Sequence, residues 1–303
     1  MAAPRAGARA TALDPCTRGR YDFFGMTQSI AKKGRKTTRR SLWARVVARA
    51  RKRPRWWRAL LGTPTWLRVA AAVVIVASVS LSVNWVYQVY RKPTELFFPI
   101  SGTLYKDPAQ TWRAYGALFR RHSTPVMTPT LLAALAQVEG AGNPLVRTYW
   151  RLALTSEPFE IYRPASSAVG MYQITDGTFT EARHYCIHDH AVATDDAPWY
   201  SLRSCWFNGL YMRTVPSDAI ELTSSYLDRR VSEALRGRPR APTLRERQQV
   251  AALIHLCGPG LAGEFVRRGY APAPGQRCGS HDVRAYLARV EAMERKFAAL
   301  AGS

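Results

Sequence analysis

A carboxylate at the end of an apolar helix pattern is the residue in this sequence best placed to do chemistry. Thr128 can cap the start of a helix and Pro129 suits its first position, and leucines then recur on one face as far as Val138. Glu139 follows in the last turn, beside the buried face, where the negative helix end disfavours a carboxylate. A carboxylic acid in apolar surroundings can deliver a proton, so the pattern indicates general acid–base chemistry.

Two later segments combine glycines with polar and aromatic side chains. The first includes, in order, Ser167, Gly170, Met171, Tyr172, Gln173 and Thr178. The second reads His255-Leu-Cys-Gly258-Pro259-Gly260 and is expected to end a helix rather than to begin one. The chain contains neither a Gly-x-Ser-x-Gly nucleophile motif nor a Walker phosphate loop, so acyl-transfer and nucleotide chemistry of those kinds are not indicated.

The elements that must position these residues are predicted to be helices. Thr243 and Glu246 form a capping box that opens a helix ending at Gly258, and residues 217–235 carry a second apolar stripe. The final helix has one apolar face, formed by Val283, Tyr286, Leu287, Val290, Met293 and Phe297. No run of alternating residues competes with these patterns, so the fold class is predicted to be mainly α.

The net charge of +23 is concentrated at one end of the chain. Residues 1–68 hold 18 Lys and Arg against two acids, residues 69–90 hold no charge, and residues 91–303 hold 26 Lys and Arg against 19 acids. The uncharged stretch would be about 33 Å long as a helix at roughly 1.5 Å per residue, enough to cross a bilayer core. The sequence therefore predicts one transmembrane helix over 69–90.

The basic flank also predicts the orientation and the domain boundaries. The positive-inside rule places residues 1–68 in the cytoplasm, as a largely unfolded tail that touches anionic lipid, and residues 91–303 outside. Binding of nucleic acid by this tail is the weaker interpretation, and no nucleic acid partner is expected. Residues 91–124 are predicted to be a membrane-proximal stalk with a helix near 109–121, and residues 125–303 the folded domain. Met26 is an alternative start.

Cysteine positions agree with this topology. Cys16 lies on the predicted cytoplasmic side, whereas Cys186, Cys205, Cys257 and Cys278 lie outside, where disulfides form. Of the three pairings we favour Cys186–Cys205 with Cys257–Cys278, because each closes a loop of about 20 residues, worth roughly 3 kcal/mol. A zinc site at Cys186 is the alternative. Its other ligands would come from His184, His188 and His190.

Taken in order, the three segments resemble the soluble lytic transglycosylase (SLT) family of lysozyme-like enzymes. That family shows Glu-Ser closing a helix, then Gly-Ala-x-Gly-Leu-Met-Gln-x-Met-Pro-x-Thr, then Tyr-Asn-Ala-Gly-Pro-Gly. The resemblance covers about residues 125–300. It is carried by Glu139 and by matches at Ala168, Gly170, Gln173, Thr178, Gly258, Pro259 and Gly260.

The resemblance implies a lysozyme-like domain in the periplasm of a bacterium, anchored by a single pass through the inner membrane. Its substrate would be the glycan strands of peptidoglycan, cleaved between N-acetylmuramic acid and N-acetylglucosamine to leave a 1,6-anhydro product. Glu139 would act first as acid and then as base, without a cofactor or metal. Such an enzyme serves a secretion or conjugation machine, or general wall turnover. The residues expected to contact substrate are Ser167, Gly170, Met171, Tyr172, Gln173 and His255.

Departures from the family pattern leave alternatives open. Gly140 stands where the family has Ser, about fourteen residues within 144–165 look inserted, and His255-Leu256 replaces Tyr-Asn. Glu157 or Glu160 in the insertion could supply a second carboxylate, which would make the enzyme a hydrolysing muramidase. The departures also allow a non-catalytic wall-binding or assembly protein.

Several side chains have a structural interpretation beside the functional one. The Gln173 amide can satisfy loop backbone instead of a sugar, and His255 can be a structural histidine. Met171 and Tyr172 suit either a groove wall or the core. Sugar stacking and core packing are equally open for Trp150, Tyr162 and Trp206.

Overall fold

The structure, a computed structural model, describes residues 62–302 apart from residues 154, 196, 197, 199, 202, 203 and 239. The chain divides into two compact units, residues 1–68 and residues 69–303, and the fold described below is that of the second unit. The expectations for the basic tail up to residue 61, including Cys16 and Met26, lie outside the described residues.

An apolar helix, α1, begins this part of the chain. It runs over Thr65–Arg91 and is therefore longer than the predicted 69–90. Its most apolar stretch has a mean hydropathy of 2.1, and most of its side chains are exposed rather than packed in a core. By length and composition α1 is a candidate membrane-spanning helix.

The rest of the unit is mainly helical, as the sequence predicts. Its helices are α2 (Phe98–Ser101), α3 (Pro108–Arg121), α4 (Pro129–Gly140), α5 (Asp176–Ala182), α6 (Pro216–Ala234), α7 (Leu244–Cys257), α8 (Pro259–Arg267) and α9 (Val283–Ala301). The core is built around α4, whose residues from Leu131 to Ala136 are all buried. Helices α3 and α9 pack against α4, and α6, α7 and α8 pack against one another to complete the core.

Short antiparallel hairpins, which the sequence did not predict, join these helices. Strands of two to four residues are too short to show a period-two pattern, so the hydropathy of the chain gives no sign of them. They pair as β1 (Trp150–Leu152) with β2 (Tyr162–Pro164), β3 (Tyr185–His188) with β4 (Ala191–Thr194), and β5 (Arg277–Cys278) with β6 (His281–Asp282). Short 3-10 helices cover Pro93–Phe97, Pro158–Glu160 and Trp206–Leu210.

The helix ends follow the predicted signals, with one exception. Thr128 caps α4 by accepting a hydrogen bond from the Leu131 amide, and Thr243 and Glu246 form the predicted capping box of α7. Gly258 ends α7 with a left-handed φ of 80°, but Pro259 then occupies the first turn of α8. The Gly-Pro-Gly run therefore ends one helix and also begins the next, because proline suits a first helical position.

The predicted stalk over 91–124 is partly core. Its predicted helix near 109–121 is present as α3, but α3 packs on α4 and α9 and buries Phe119 completely. Asp107 and Gln110 close a capping box at its start. The aromatic face of α3 explains why this segment joins the core and is not a free stalk. The ring centroids of Trp112 and of Phe297 on α9 are 5.9 Å apart.

The two predicted cysteine pairs have different outcomes. Cys186 and Cys205 form a disulfide, so Cys186 is not available as a thiolate for the alternative zinc site. Cys257 and Cys278 are free thiols, and this predicted bond is not formed. The Cys278 thiol instead donates to the Leu256 carbonyl at 3.3 Å, and burial together with the nearby Cys278 raises the pKa of Cys257.

Loss of the Cys186–Cys205 disulfide is expected to lower the free energy of unfolding by about 3 kcal/mol, because the bond closes a loop of about 20 residues. Denaturant unfolding of the Cys205→Ala variant and of the parent chain, each with and without reductant, measures this. The parent should lose stability when reductant is added. Cys205→Ala should be less stable than the parent from the start, and reductant should not lower its stability further. Cys278→Ala is the matched control, and an equal loss in that variant would contradict the expectation.

Candidate active site at the end of helix α4

Glu139 lies in the last turn of α4 with its side chain 18% exposed. Its Oε1 accepts a hydrogen bond from the Tyr286 hydroxyl at 2.6 Å, and the Nε2 atom of His255 lies 3.9 Å from the same oxygen. Three helices therefore meet at this carboxylate: α4 carries the acid, α9 the tyrosine and α7 the histidine. None of the described side chains donates a hydrogen bond to Oε2, the other carboxylate oxygen.

Tyr286 is a functional candidate to which the sequence assigned no role of its own. It was predicted on the apolar stripe of the last helix, which follows the third segment of the SLT resemblance, and it is indeed buried, with 1% of its surface exposed. Burial, followed by the charge of Glu139, raises the pKa of Tyr286 well above its usual value. The phenol therefore stays protonated and serves as a lasting donor to Glu139.

The Gly-Met-Tyr-Gln segment, residues 170–173, is held against the end of α4 by close backbone contact. A Cβ atom on Gly140 would lie 2.7 Å from the Met171 carbonyl oxygen and 2.8 Å from its Cα. Gly170 has a φ of 78°, and a Cβ atom there would lie 2.3 Å from the Arg213 carbonyl oxygen. These two glycines let the Gly-Met-Tyr-Gln segment pass directly beside the acid, which accounts for the departure at Gly140.

A small, partly open groove lies beside His255. Its polar lining comes from the loop before α5, from α5 itself, from α6 and from α7. His255 lines the groove and also lies next to Glu139, so it connects the cavity to the acid. The polar and aromatic side chains that line the groove are Gln173, Thr175, Thr178, Thr223, Tyr226 and His255.

Gln173 both lines the groove and bonds to the loop backbone. It lines the groove, yet its amide nitrogen donates to the Gly170 carbonyl at 2.9 Å and to the Val146 carbonyl at 3.4 Å. Its φ of 49° is in the left-handed region, which a residue other than glycine rarely occupies. Backbone strain of this kind clusters at functional sites, and here the side-chain bonds to the loop hold it in place.

No protein-family model, curated protein or solved structure matches this chain. The resemblance to the SLT family therefore depends on the motifs and on the geometry of the site they form.

Tyr172 and Met171 belong to the core rather than to the groove wall. Both are fully buried, and the Tyr172 hydroxyl donates to the Leu132 carbonyl at 3.1 Å. The Tyr172 ring lies edge-on to His255 with 6.4 Å between centroids, so it supports the histidine from behind. The expected substrate contacts of these two side chains are therefore corrected to packing contacts, and the buried Gly170 contributes only its backbone conformation.

Arg213 also holds this segment in place, and no sequence pattern indicated this role. Its guanidinium donates to the Ser167 carbonyl at 3.0 Å and to the Ile174 carbonyl at 2.8 Å, and pairs with Asp176 at 2.8 Å. The Ser167 hydroxyl accepts from the Asp176 amide at 3.2 Å, at the start of α5. Ser167 thus has a structural role, and its expected substrate contact stays a prediction.

The other candidate residues are not found around Glu139. Glu160 pairs with Arg91 and Arg163 at 2.6 Å each, in the hairpin beside α1, and Glu157 is exposed in the same loop. Trp150 and Tyr162 pack against each other within that hairpin, with 5.0 Å between ring centroids. Outside the hairpin, Trp206 is 46% exposed and stacks on its neighbour Phe207. The described groove lining contains no carboxylate.

Tyr286→Phe is expected to slow turnover about tenfold to a hundredfold, because it removes a hydrogen bond to a charged group while keeping the buried ring. Turnover is measured as release of soluble fragments from purified peptidoglycan. Tyr172→Phe is the matched control, because it removes a buried hydroxyl bonded only to backbone. That variant should lose stability and keep its rate, so equal losses of rate in both variants would contradict a role for Tyr286 at Glu139.

Proposed function

We propose that this chain is a membrane-anchored peptidoglycan lytic transglycosylase with a lysozyme-like domain outside the bacterial inner membrane. The observation that carries the proposal is the setting of Glu139: a partly exposed carboxylate that accepts a hydrogen bond from Tyr286 and lies 3.9 Å from His255, which itself lines the groove. Of the two candidates for a second carboxylate, Glu160 is paired with Arg91 and Arg163, and Glu157 is exposed in the same loop. This favours a mechanism with one acid over the pair that hydrolysing glycosidases use.

The hydrogen bond from Tyr286 assigns different tasks to the two oxygens of Glu139. Oε1 accepts from the phenol, so in the protonated acid Oε2 carries the proton. Oε2 then protonates the glycosidic oxygen of N-acetylglucosamine while the bond from that oxygen to C1 of N-acetylmuramic acid breaks. The same oxygen next takes the proton of the muramyl C6 hydroxyl, whose oxygen bonds to C1. The product is a 1,6-anhydro ring, no water is consumed, and Glu139 ends protonated as it began.

Helix α1 and the cysteines support the proposed anchor and compartment. Helix α1 is long and apolar enough to span a bilayer, and the basic residues of the sequence cluster before it. The Cys186–Cys205 disulfide suits an oxidising compartment such as the periplasm. The proposed partners are therefore the membrane and the glycan strands, with a secretion or conjugation machine as one setting for local wall opening.

Product analysis tests this proposal. The full chain, purified in detergent with its disulfide intact, is incubated with peptidoglycan, and the released muropeptides are identified by mass spectrometry. Anhydro-muramyl ends support the transglycosylase activity, whereas reducing ends would identify the activity as that of a muramidase. Binding to the wall without any release of fragments would replace it by a wall-binding or assembly role.

A further inference from the structure

The inserted hairpin, β1–β2 with its connecting loop (residues 150–164), lies against the C-terminal end of α1. Asn84 donates to the Tyr162 carbonyl at 2.6 Å and Gln88 donates to the Phe159 carbonyl at 2.7 Å. Both amides are 5% exposed, in contrast to the exposed apolar side chains along most of α1. The hairpin therefore covers the two amide side chains of α1 that would otherwise face lipid.

These contacts lie within the apolar part of the helix, not beyond it. Asn84 precedes Arg91, the last residue of α1, by seven positions, which is about 10 Å at roughly 1.5 Å per residue. A hydrocarbon core of about 30 Å takes roughly 20 helical residues, so a span that begins at Val69 ends near Gln88. The hairpin contacts α1 at the outer edge of this span, level with the exposed ring of Trp85, which suits an interface belt.

Side chains of the hairpin change from apolar to basic in the direction that leads out of the membrane. Leu152 pairs with Tyr162 at the level of Asn84, and both are exposed, Leu152 by 76%. Arg151 pairs with Arg163 one position closer to the folded domain. An apolar pair followed by an arginine pair matches the order of acyl chains and phosphates across the interface. Ile161, also exposed, adds to the apolar end.

A buried carboxylate fixes the base of the hairpin to the chain that follows α1. Glu95 is fully buried and accepts from Arg147 at 2.7 Å and from the Trp150 indole at 2.8 Å, with Lys92 3.3 Å away. The Lys92 ammonium also donates to the Ser166 carbonyl at 3.2 Å, at the end of the hairpin. These bonds make the connection between α1 and the hairpin rigid rather than a free stalk.

We propose that the β1–β2 hairpin is a second membrane contact, which lies in the outer membrane–water interface with Leu152 and Ile161 among the lipid chains and its arginine pair at the phosphates. The partner is the phospholipid surface, as expected from the continuity of the hairpin with α1. The inference rests on α1 being the membrane span, and it does not depend on the enzymatic activity.

Photo-crosslinking of the full chain in vesicles of phosphatidylethanolamine and phosphatidylglycerol tests this contact. Benzoylphenylalanine replaces one residue at a time: Leu152, Ile161, Ile75 within α1, or Leu210. Leu210 is the matched control because it is exposed by 75%, like Leu152, but lies on the 3-10 helix Trp206–Leu210. We expect lipid adducts at positions 75, 152 and 161, at least about tenfold above position 210, because only apolar groups at the interface reach acyl chains.

Three results would overturn the inference. Adduct yields at positions 152 and 161 as low as at position 210 would place the hairpin in water. Crosslinks from these two positions to a second copy of the chain would make the hairpin a self-association surface. An absence of lipid adducts at position 75 would show that α1 does not span the membrane. This failure is distinct from a failure of the hairpin contact and from any result on peptidoglycan cleavage.

Discussion

Glu139→Gln is expected to lower the rate of muropeptide release about 10²- to 10⁴-fold, the range that general acid–base catalysis contributes. Glutamine keeps the size of the side chain and an oxygen that can accept the Tyr286 hydroxyl, but it has no proton to give to the glycosidic oxygen. The substitution therefore removes the chemistry and leaves the packing of α4 unchanged. The measurement is the initial rate of fragment release from purified peptidoglycan, with thermal unfolding to establish that the variant is folded.

Glu157→Gln is the control for this prediction. Glu157 is an exposed carboxylate in the hairpin loop, away from the groove lining, and it was one of the two candidates for a second catalytic group. Its replacement should leave the rate unchanged. A normal rate in Glu139→Gln, or a loss in Glu157→Gln comparable to that in Glu139→Gln, would contradict the assignment of the acid.

Gly140→Ala is expected to lower the free energy of unfolding by about 1–3 kcal/mol, the usual cost of overpacking a core. The new methyl group would meet the Met171 carbonyl oxygen at 2.7 Å and its Cα at 2.8 Å, and both are backbone atoms that cannot turn away. Helix α4 and the Gly-Met-Tyr-Gln segment must then separate beside Glu139, so the rate should fall together with the stability. Denaturant unfolding and the peptidoglycan assay measure the two effects.

Gly177→Ala is the matched control for Gly140→Ala. Gly177 lies in α5, and a Cβ atom there would have no neighbour within 4 Å. Alanine favours the helix over glycine by up to about 1 kcal/mol, so this variant should be as stable as the parent or more so. Equal stability of both variants would show that the segment does not press on α4 as closely as the structure indicates.

Local signals were sufficient to predict the helices that carry the site. A capping threonine with proline at the first position fixed the start of α4, and apolar residues at helical spacing identified α6, α7 and α9. Glu139 was selected because a carboxylate beside a buried face at the negative end of a helix is a local conflict, and because the order of the motifs resembles the SLT family. Its role as the acid stays a prediction.

Apart from the short hairpins and the start of α8, the features that the sequence did not predict depend on contacts between distant parts of the chain. Asn84 and Tyr162 are 78 residues apart, and neither carries a signal of the other, so the insertion could not be placed on α1. Tyr172 was assigned to the groove because an aromatic residue beside a glycine suits either a wall or a core, and only the Leu132 carbonyl decides between them. Loop length alone could not show that the Cys278 thiol points to the Leu256 carbonyl.

The chemical claim at the centre of this account is that one carboxylate cleaves the glycan without water. Digestion of peptidoglycan by the full chain in ¹⁸O-labelled water, followed by mass spectrometry of the released muropeptides, tests it most directly. We expect anhydro-muramyl ends that carry no ¹⁸O, because the oxygen that bonds to C1 comes from the sugar's own C6 hydroxyl. Reducing ends that carry ¹⁸O at C1 would contradict it, and would mean that a water molecule attacks the bond that Glu139 protonates.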